Sequence, residues 1–316
     1  MVPSTHFLVQ ALRARRAEGS QVRGARPQAA IEQSIERDAI VRRGERVVVA
    51  CSGGADSIAL VAALHAVAKP MALELSVAHV NHGTRRSAWQ DECVALRIAA
   101  TFELPVDVVA LDAMADNENE LRAARYAGLV EIARRRGAAV VTTAHHAEDQ
   151  SETVLLALFR GAGREGLAGM APRRGLAEGI DLARPLLRFP AGELRAYCHA
   201  EALPYAVDPT NADDDRRRNA VRSALGALRP LFPGLDEAVA RAAHVAGDEA
   251  RSPERAELRR LVRERLARED TLRDVDFGHV EAAVRALESG RSGSFYMKAG
   301  IRLEIERGTI SGITKG

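Results

Sequence analysis

The sequence predicts an α/β fold: a doubly wound parallel sheet followed by a small C-terminal α+β domain. Three observations carry this reading. Short apolar, β-branched runs alternate with helix-length segments, the pattern of a parallel sheet covered on both faces. The first of these runs, Arg46-Val47-Val48-Val49-Ala50-Cys51, passes directly into Ser52-Gly53-Gly54-Ala55-Asp56-Ser57 and then into an apolar helical stretch at 58–64. The polar segments richest in histidine and acid fall where strands end, and ligands of such sheets bind outside those carboxyl ends.

Taken in order, residues 1–30 hold Arg13, Arg15, Arg16, Arg23 and Arg26 against the single acid Glu18, and read as a basic arm with one short helix at 7–17. A helix is predicted at 29–41, then the first strand and the glycine turn. Leu73 to Val80 reads as the second strand, 89–101 as a helix, 106–111 as a strand, 120–136 as a long amphipathic helix, 138–143 as a strand and 149–159 as a helix. The rhythm then changes: 161–175 is glycine-rich, Arg184-Pro185-Leu186-Leu187 reads as a short extended piece, and 190–202 as a helix. An acidic turn, Asp213-Asp214-Asp215, precedes a helix opened by Arg216-Arg217-Arg218-Asn219, and Pro230 and Pro233-Gly234 mark a boundary. Beyond it come helical stretches at 235–268 and 278–288. A half-buried strand follows, with Ile301, Leu303 and Ile305 alternating with Arg302, Glu304 and Glu306. The predicted organisation is an arm at 1–30, a catalytic domain at 31–235 and an appended domain at 236–316.

Composition sets the outer limits. A chain of 316 residues, 47% hydrophobic, can bury one sizeable core and a small second one. A net charge of +2 argues by itself for no particular partner. Cys51, Cys93 and Cys198 are widely spaced with no C-x-x-C pair, which fits a reduced, cytoplasmic protein and argues against a zinc ribbon or disulfide frame. No stretch approaches the roughly 18 apolar residues of a membrane span, and no signal-peptide core opens the chain.

The glycine turn is the strongest chemical signal. A strand, a tight turn and a helix N-terminus together form an anion site, where free N–H groups and the helix dipole face the ligand. Ser52 and Ser57 add hydroxyl donors, and Asp56 can hold Mg²⁺ against phosphate oxygens. The turn lacks the Gly-Lys-Ser/Thr ending of a Walker A loop, since no lysine precedes Lys69. A plain helix cap by Ser57 or Asp56 is the bland alternative. In Ala144-His145-His146-Ala147-Glu148-Asp149-Gln150-Ser151-Glu152, His145, Asp149 and Glu152 stand at i, i+4 and i+7, one face if all are helical. Such a face could take Mg²⁺, a substrate ammonium, or both; helix capping accounts for one acid of the set. His79-Val80-Asn81-His82-Gly83, and Arg122 and Arg125 near the start of their helix, are weaker signals. Arg216, Arg217, Arg218 and Arg222 offer phosphate contacts suited to RNA, or a solvated face.

The hexapeptide SGGADS resembles the pyrophosphate loop of the N-type ATP pyrophosphatases. Together with HVNHGTR, ELRAARY, HHAEDQSET, FRGAGREGLAGM, RPLL and DPTN followed by RRRNAVR, in that order over about 44–225, the chain resembles the tRNA(Ile)-lysidine synthetase family. The resemblance implies ligation of free L-lysine to C2 of the wobble cytidine in tRNA(Ile) with a CAU anticodon. ATP first adenylates the C2 oxygen, and AMP and pyrophosphate are the by-products. It further implies that Ser52, Gly53, Gly54, Ala55, Asp56 and Ser57, with His79, bind ATP, Asp56 holding Mg²⁺. Arg125, His145, Asp149 and Glu152 join Asp56 as catalytic groups, Asp149 and Glu152 holding lysine or metal. Arg216, Arg217, Arg218, Asn219 and Arg222 would contact the tRNA. Glu148 stands where the family commonly has Asp, and the chain resembles the short form of the family. A tRNA 2-thiolation enzyme is the nearest alternative, though such enzymes use paired cysteines; a homodimer is left open.

Overall fold

The computed structural model describes residues 27–81, 88–111, 118–206, 216–268, 275, 277–296 and 301–315. Two compact units divide the chain: the first runs to Ala162 and resumes over Gly169–Ala243, the second takes Gly163–Ala168 and His244–Gly316.

The first unit is built on a six-stranded sheet. Its order is β3 (Val106–Ala110), β2 (Glu74–Asn81), β1 (Arg46–Ala50), β4 (Val140–Thr142), β6 (Ile180–Ala183) and β5 (Arg173–Ala177). All neighbouring pairs are parallel except β5–β6, which closes the edge as an antiparallel hairpin. Strand β1 shows why both faces are covered. Its alternate side chains point to opposite sides, so Val47 and Val49 join one core and Val48 another. The first core takes Ile31 and Ile35 from α1 (Pro27–Asp38), Ile58, Leu60 and Leu64 from α2 (Ala55–Met71), Ile98 from α3 (Ala88–Thr101) and Leu194 from the 191–200 helix. The second takes Leu129, Ile132 and Ala133 from α4 (Glu118–Arg136), with Ala78, Val141 and Leu182 from the strands. Helix α2 has ten buried residues, because it packs between the sheet and its neighbouring helices.

The remaining elements of this unit are α5 (Ala147–Phe159), α7 (Ala191–Ala200) and α8 (Arg216–Leu228); the short α6 (Arg164–Leu167) belongs to the second unit. Helix α9 (Leu235–Arg251) crosses from one to the other. In the second unit, α10 (Pro253–Arg268) and α11 (Phe277–Glu288) cover a three-stranded antiparallel sheet of β7 (Gly293–Tyr296), β8 (Ile301–Glu306) and β9 (Thr309–Lys315). Ile301, Leu303 and Ile305 pack against Val262, Leu266, Val280 and Val284, as the alternation in β8 predicts. Arg259 is buried among acids there, 2.6 Å from Asp248 and 2.5 Å from Glu281.

Four local readings change. Arg184-Pro185-Leu186-Leu187 is not extended; 185–188 is a turn, and the strand is the preceding Ile180–Ala183. The β5–β6 hairpin lies partly in the segment read as merely glycine-rich, turning at Gly179 with φ +69°. The first helix already includes Pro27–Ala30, so the arm ends earlier than 30. The predicted helical stretch 235–268 is two helices separated at Ser252. The predicted short helix at 7–17, His82 to Arg85, and the turn 208–215 lie outside the described residues.

Candidate active site

The carboxyl ends of β1, β2, β4 and β6 bring the chemistry together. Ser52 to Ser57 leave β1 and enter α2. Gly53 has φ +91°, and a Cβ there would lie 2.8 Å from the Asp91 carbonyl oxygen on α3, so only glycine fits the turn beneath that helix. The Gly53 carbonyl accepts from Ala206 N–H at 2.9 Å, which pins the loop from its other side. Ser57 is buried and organises the turn: its Oγ donates to Gly54 O at 2.9 Å and accepts the Ser52 N–H at 3.1 Å. Gly54 caps α2 with no side-chain hydrogen bond, so neither Ser57 nor Asp56 acts as its cap and the first N–H groups remain for a ligand. His79 is buried on β2, its Nδ1 2.8 Å from Cys51 O, and supports the strand end leading into the loop.

Asp56 stands in the first turn of α2. Its Oδ1 is buried without a hydrogen-bond partner. Burial raises its pKa; His146 opposes that shift, while Asp149 adds to it. Such an orphaned acid oxygen beside uncapped amides fits a phosphate carrying its cation. Among the described residues no group of three or more His, Cys, Asp or Glu is arranged to hold a metal; Mg²⁺ against phosphates needs only one or two carboxylates.

The second group is centred on His146, the N-cap of α5. His145 therefore lies before the helix, and the shared-face arrangement of His145, Asp149 and Glu152 does not hold. The His146 ring lies 3.0 Å from Glu148, 3.5 Å from Asp149 and 3.7 Å from Asp56. Burial disfavours its charge, but the three carboxylates outweigh that and push its pKa up to about 9. Glu148 also accepts Ala191 N–H at 2.9 Å, at the start of α7; its pKa falls to about 2 despite burial, held down by His146 and that amide. Asp149 accepts the His146 N–H at 3.1 Å, the capping role, while its side chain remains partly exposed. Sequence reasoning does not single out His146 and Glu148 as site residues; the doubled histidine is the signal that points to them.

His145 shares a 2.9 Å hydrogen bond between Nδ1 and Thr143 Oγ1. Burial lowers its pKa to about 4, with Asp149 opposing and Arg184 and Arg122 assisting. At neutral pH it is an uncharged imidazole. Arg125 is exposed on α4. Glu152 is buried on α5 and does not present an open carboxylate: Arg222 donates to both its oxygens, at 2.8 and 3.1 Å, and Arg218 lies 3.2 Å away. Two of the predicted RNA contacts thus face an acid of the site. Arg217 is exposed on α8, and Asn219 is half-buried.

The remaining loop is folded onto α5 by Gln150, whose amide donates to Met170 O at 3.1 Å and accepts Met170 N–H at 2.8 Å. Gly169, with φ +60°, leaves no room for a Cβ against that amide. Cys51 and Cys198 are buried and Cys93 is exposed. Burial pushes the Cys198 thiol up to about 12, with the Asp56 charge adding to it.

The sheet order and the glycine turn define a nucleotide-binding domain of the PP-loop class. A family model described as a PP-loop domain matches residues 26–228. A tRNA(Ile)-lysidine synthase from Salinispora tropica is 43% identical over 241 residues, covering 73% of this chain and 72% of the relative. One from Ralstonia nicotianae is 40% identical over 210 residues, covering 63% of this chain and 44% of the relative. The chain belongs to the PP-loop family and, within it, to the tRNA(Ile)-lysidine synthases, a family of ligases. Among solved structures, a U34-tRNA thiolase from Methanococcus maripaludis is similar in fold, with a TM-score of 0.59 at 17% identity over 70% of this chain and 78% of that one. Among the described residues no helix is long and apolar enough to cross a membrane.

Proposed function

We propose that this chain ligates free lysine to C2 of the wobble cytidine of tRNA(Ile) with a CAU anticodon, consuming ATP and releasing AMP and pyrophosphate. The family match across the whole sheet domain carries this reading. The α2 N-terminus receives the ATP phosphates through its uncapped N–H groups, with Ser52 Oγ at the exposed lip of the loop. Asp56 would hold Mg²⁺, which when bound neutralises charge on the departing pyrophosphate. Adenylation of the C2 oxygen makes it a leaving group, and the lysine amine displaces AMP.

The amine attacks only when neutral. Asp149 accepts its hydrogen bond in this reading, a role supported by its partly exposed carboxylate, which the His146 N–H holds in position. With a pKa of about 4, His145 is a neutral imidazole with a single ring N–H at pH 7, and orients the reacting groups in that form. Glu152 acts through Arg222 and Arg218, tying α8 and its RNA-facing arginines to the same wall. Sulfur transfer is disfavoured, since the three cysteines form no C-x-x-C pair and burial raises the Cys51 and Cys198 thiols.

The test is ATP-dependent incorporation of labelled lysine into a tRNA(Ile) transcript with a CAU anticodon, beside an elongator tRNA(Met) control and an Asp56→Asn variant. Labelling of the first RNA alone is expected, falling at least about 100-fold in the variant. AMP release without labelling would move the second substrate elsewhere, and full turnover by the variant would remove Asp56 from the metal.

A further inference from the structure

The end of α5 presents an aromatic ring that neither the core nor the proposed chemistry uses. Phe159, its last residue, is 71% exposed. One exposed apolar residue carries no meaning by itself; its setting does. Phe159 follows Glu152 by seven residues, two turns on, and so lies on the same face of α5. That face is turned to α8, where Arg222 and Arg218 hold Glu152. Arg229, just past the end of α8, is acted on by Glu148 in the first turn of α5. The two helices therefore run antiparallel, and Phe159 lies at the end of the pair where α8 begins. Cations stand at that end: Arg160 is the C-cap of α5 and is exposed, and Arg217 is exposed in the first turn of α8. The other exposed apolar group, Leu228, Leu231 and Phe232, stands at the opposite end of α8, where Arg229 is already held by Asp236 at 2.7 Å.

We infer that the Phe159 ring is a stacking platform for an unpaired base of the tRNA anticodon loop, with Arg160 and Arg217 meeting the phosphates beside that nucleotide. This rests on the tRNA-ligase reading above. Unpaired bases are read by stacking on aromatic rings, and one ring serves any base because each has a π face. An acidic or an apolar protein partner would use only half of this surface. A nucleotide uses both halves, base on ring and phosphate on guanidinium. Asp149 stands ten residues back, about 15 Å along α5. The stacked base is therefore a neighbour of the reacting cytidine, not the cytidine itself. Such a contact holds the RNA without touching the reacting atoms, so it acts on affinity and leaves the chemical step alone.

Filter binding of the tRNA(Ile) transcript with a CAU anticodon to the full-length protein tests this. Phe159→Ala should raise Kd by about 5- to 150-fold, the loss expected for one stacked base. The slope of log K against log salt should hold, because no phosphate contact is removed. Phe159→Tyr should bind as the wild type does, whereas Phe159→Leu, apolar but without a π face, should behave like Phe159→Ala. Bases are then removed one at a time from the unpaired loop, leaving the wobble cytidine in place. One abasic transcript should weaken the wild type as much as Phe159→Ala does, and should weaken that variant no further. In lysine incorporation the KM for tRNA should rise while kcat and the lysine KM hold. If Phe159→Leu binds as the wild type does, the surface reads apolar area rather than a base, and the inference fails. If every abasic transcript weakens wild type and variant alike, no base stacks there and it fails again. A Phe159→Ala protein with unchanged Kd and a lowered Tm would make the ring a packing residue, which also overturns it. In each of these cases a wild type that still modifies the tRNA leaves the ligase reading standing. If the wild type neither binds nor modifies it, the ligase reading falls and takes the inference with it.

Discussion

At the scale of single residues, His146 concentrates the electrostatics of the site, because Asp56, Glu148 and Asp149 converge on it from two helices. Its pKa of about 9 lies above the ordinary histidine value of 6.5, so its contribution to stability is complete below pH 6.5 and is lost as pH rises through 9. Glu148 runs the other way: with a pKa of about 2, its contribution is complete above 4.5 and is lost as pH falls through 2. The two describe largely one interaction and are not to be summed. The urea midpoint of the wild type should therefore decline between about pH 6.5 and 9, and His146→Gln should flatten that decline. An equal decline in the variant would assign it to other groups. This cluster is not legible in the sequence. The histidine pair is visible, but which of the two faces Asp56 depends on the helix starting at Ala147, a shift of two residues from the predicted start.

At the scale of elements, the regular strands and helices are readable from the sequence and the irregular connections are not. The run Val47-Val48-Val49 and the glycine turn predict β1, the loop and α2, since a buried parallel strand needs an unbroken apolar run. Strand β6 escapes because it has only four residues, one of them Asp181, paired with Arg173. The pairing of α5 with α8 escapes too, being a long-range meeting of Glu152 with Arg222 and Arg218. That meeting is asymmetric. The Glu152 side chain is 4% exposed, while those of Arg218 and Arg222 are 22% and 40% exposed. Removing the acid lets two partly hydrated arginines turn to water; removing both arginines strands a buried carboxylate. The double variant Arg218→Ala/Arg222→Ala should thus be less stable than Glu152→Gln by about 1–3 kcal/mol, and adding Glu152→Gln to it should restore part of the loss. Urea titration reads both differences, and a double variant as stable as Glu152→Gln would mean that the pair does not govern the packing of α8.

At the scale of the whole molecule, the question is how a chain with a net charge of only +2 would hold a polyanion. The charge is organised locally rather than in bulk. Arg218 and Arg222 turn inward to Glu152, whereas Arg217 is exposed on the same helix and Arg216 opens it. In the proposed function this division gives α8 two tasks: Arg218 and Arg222 hold the helix to the catalytic wall, and the exposed Arg217 meets phosphate. Phosphate contacts release counterions, so each one adds to the dependence of affinity on salt. Replacing Arg216 and Arg217 by Gln should weaken tRNA binding at low salt and reduce the slope of log K against log salt by about 0.7–0.9 for each phosphate no longer neutralised. The lysine KM should stay unchanged, since Glu152 keeps both its partners. Filter binding across a salt series, beside steady-state kinetics on the same variant, measures the two effects separately. An unchanged slope would place Arg217 on a solvated face. A changed slope with a raised lysine KM would mean that α8 does not divide its work in this way.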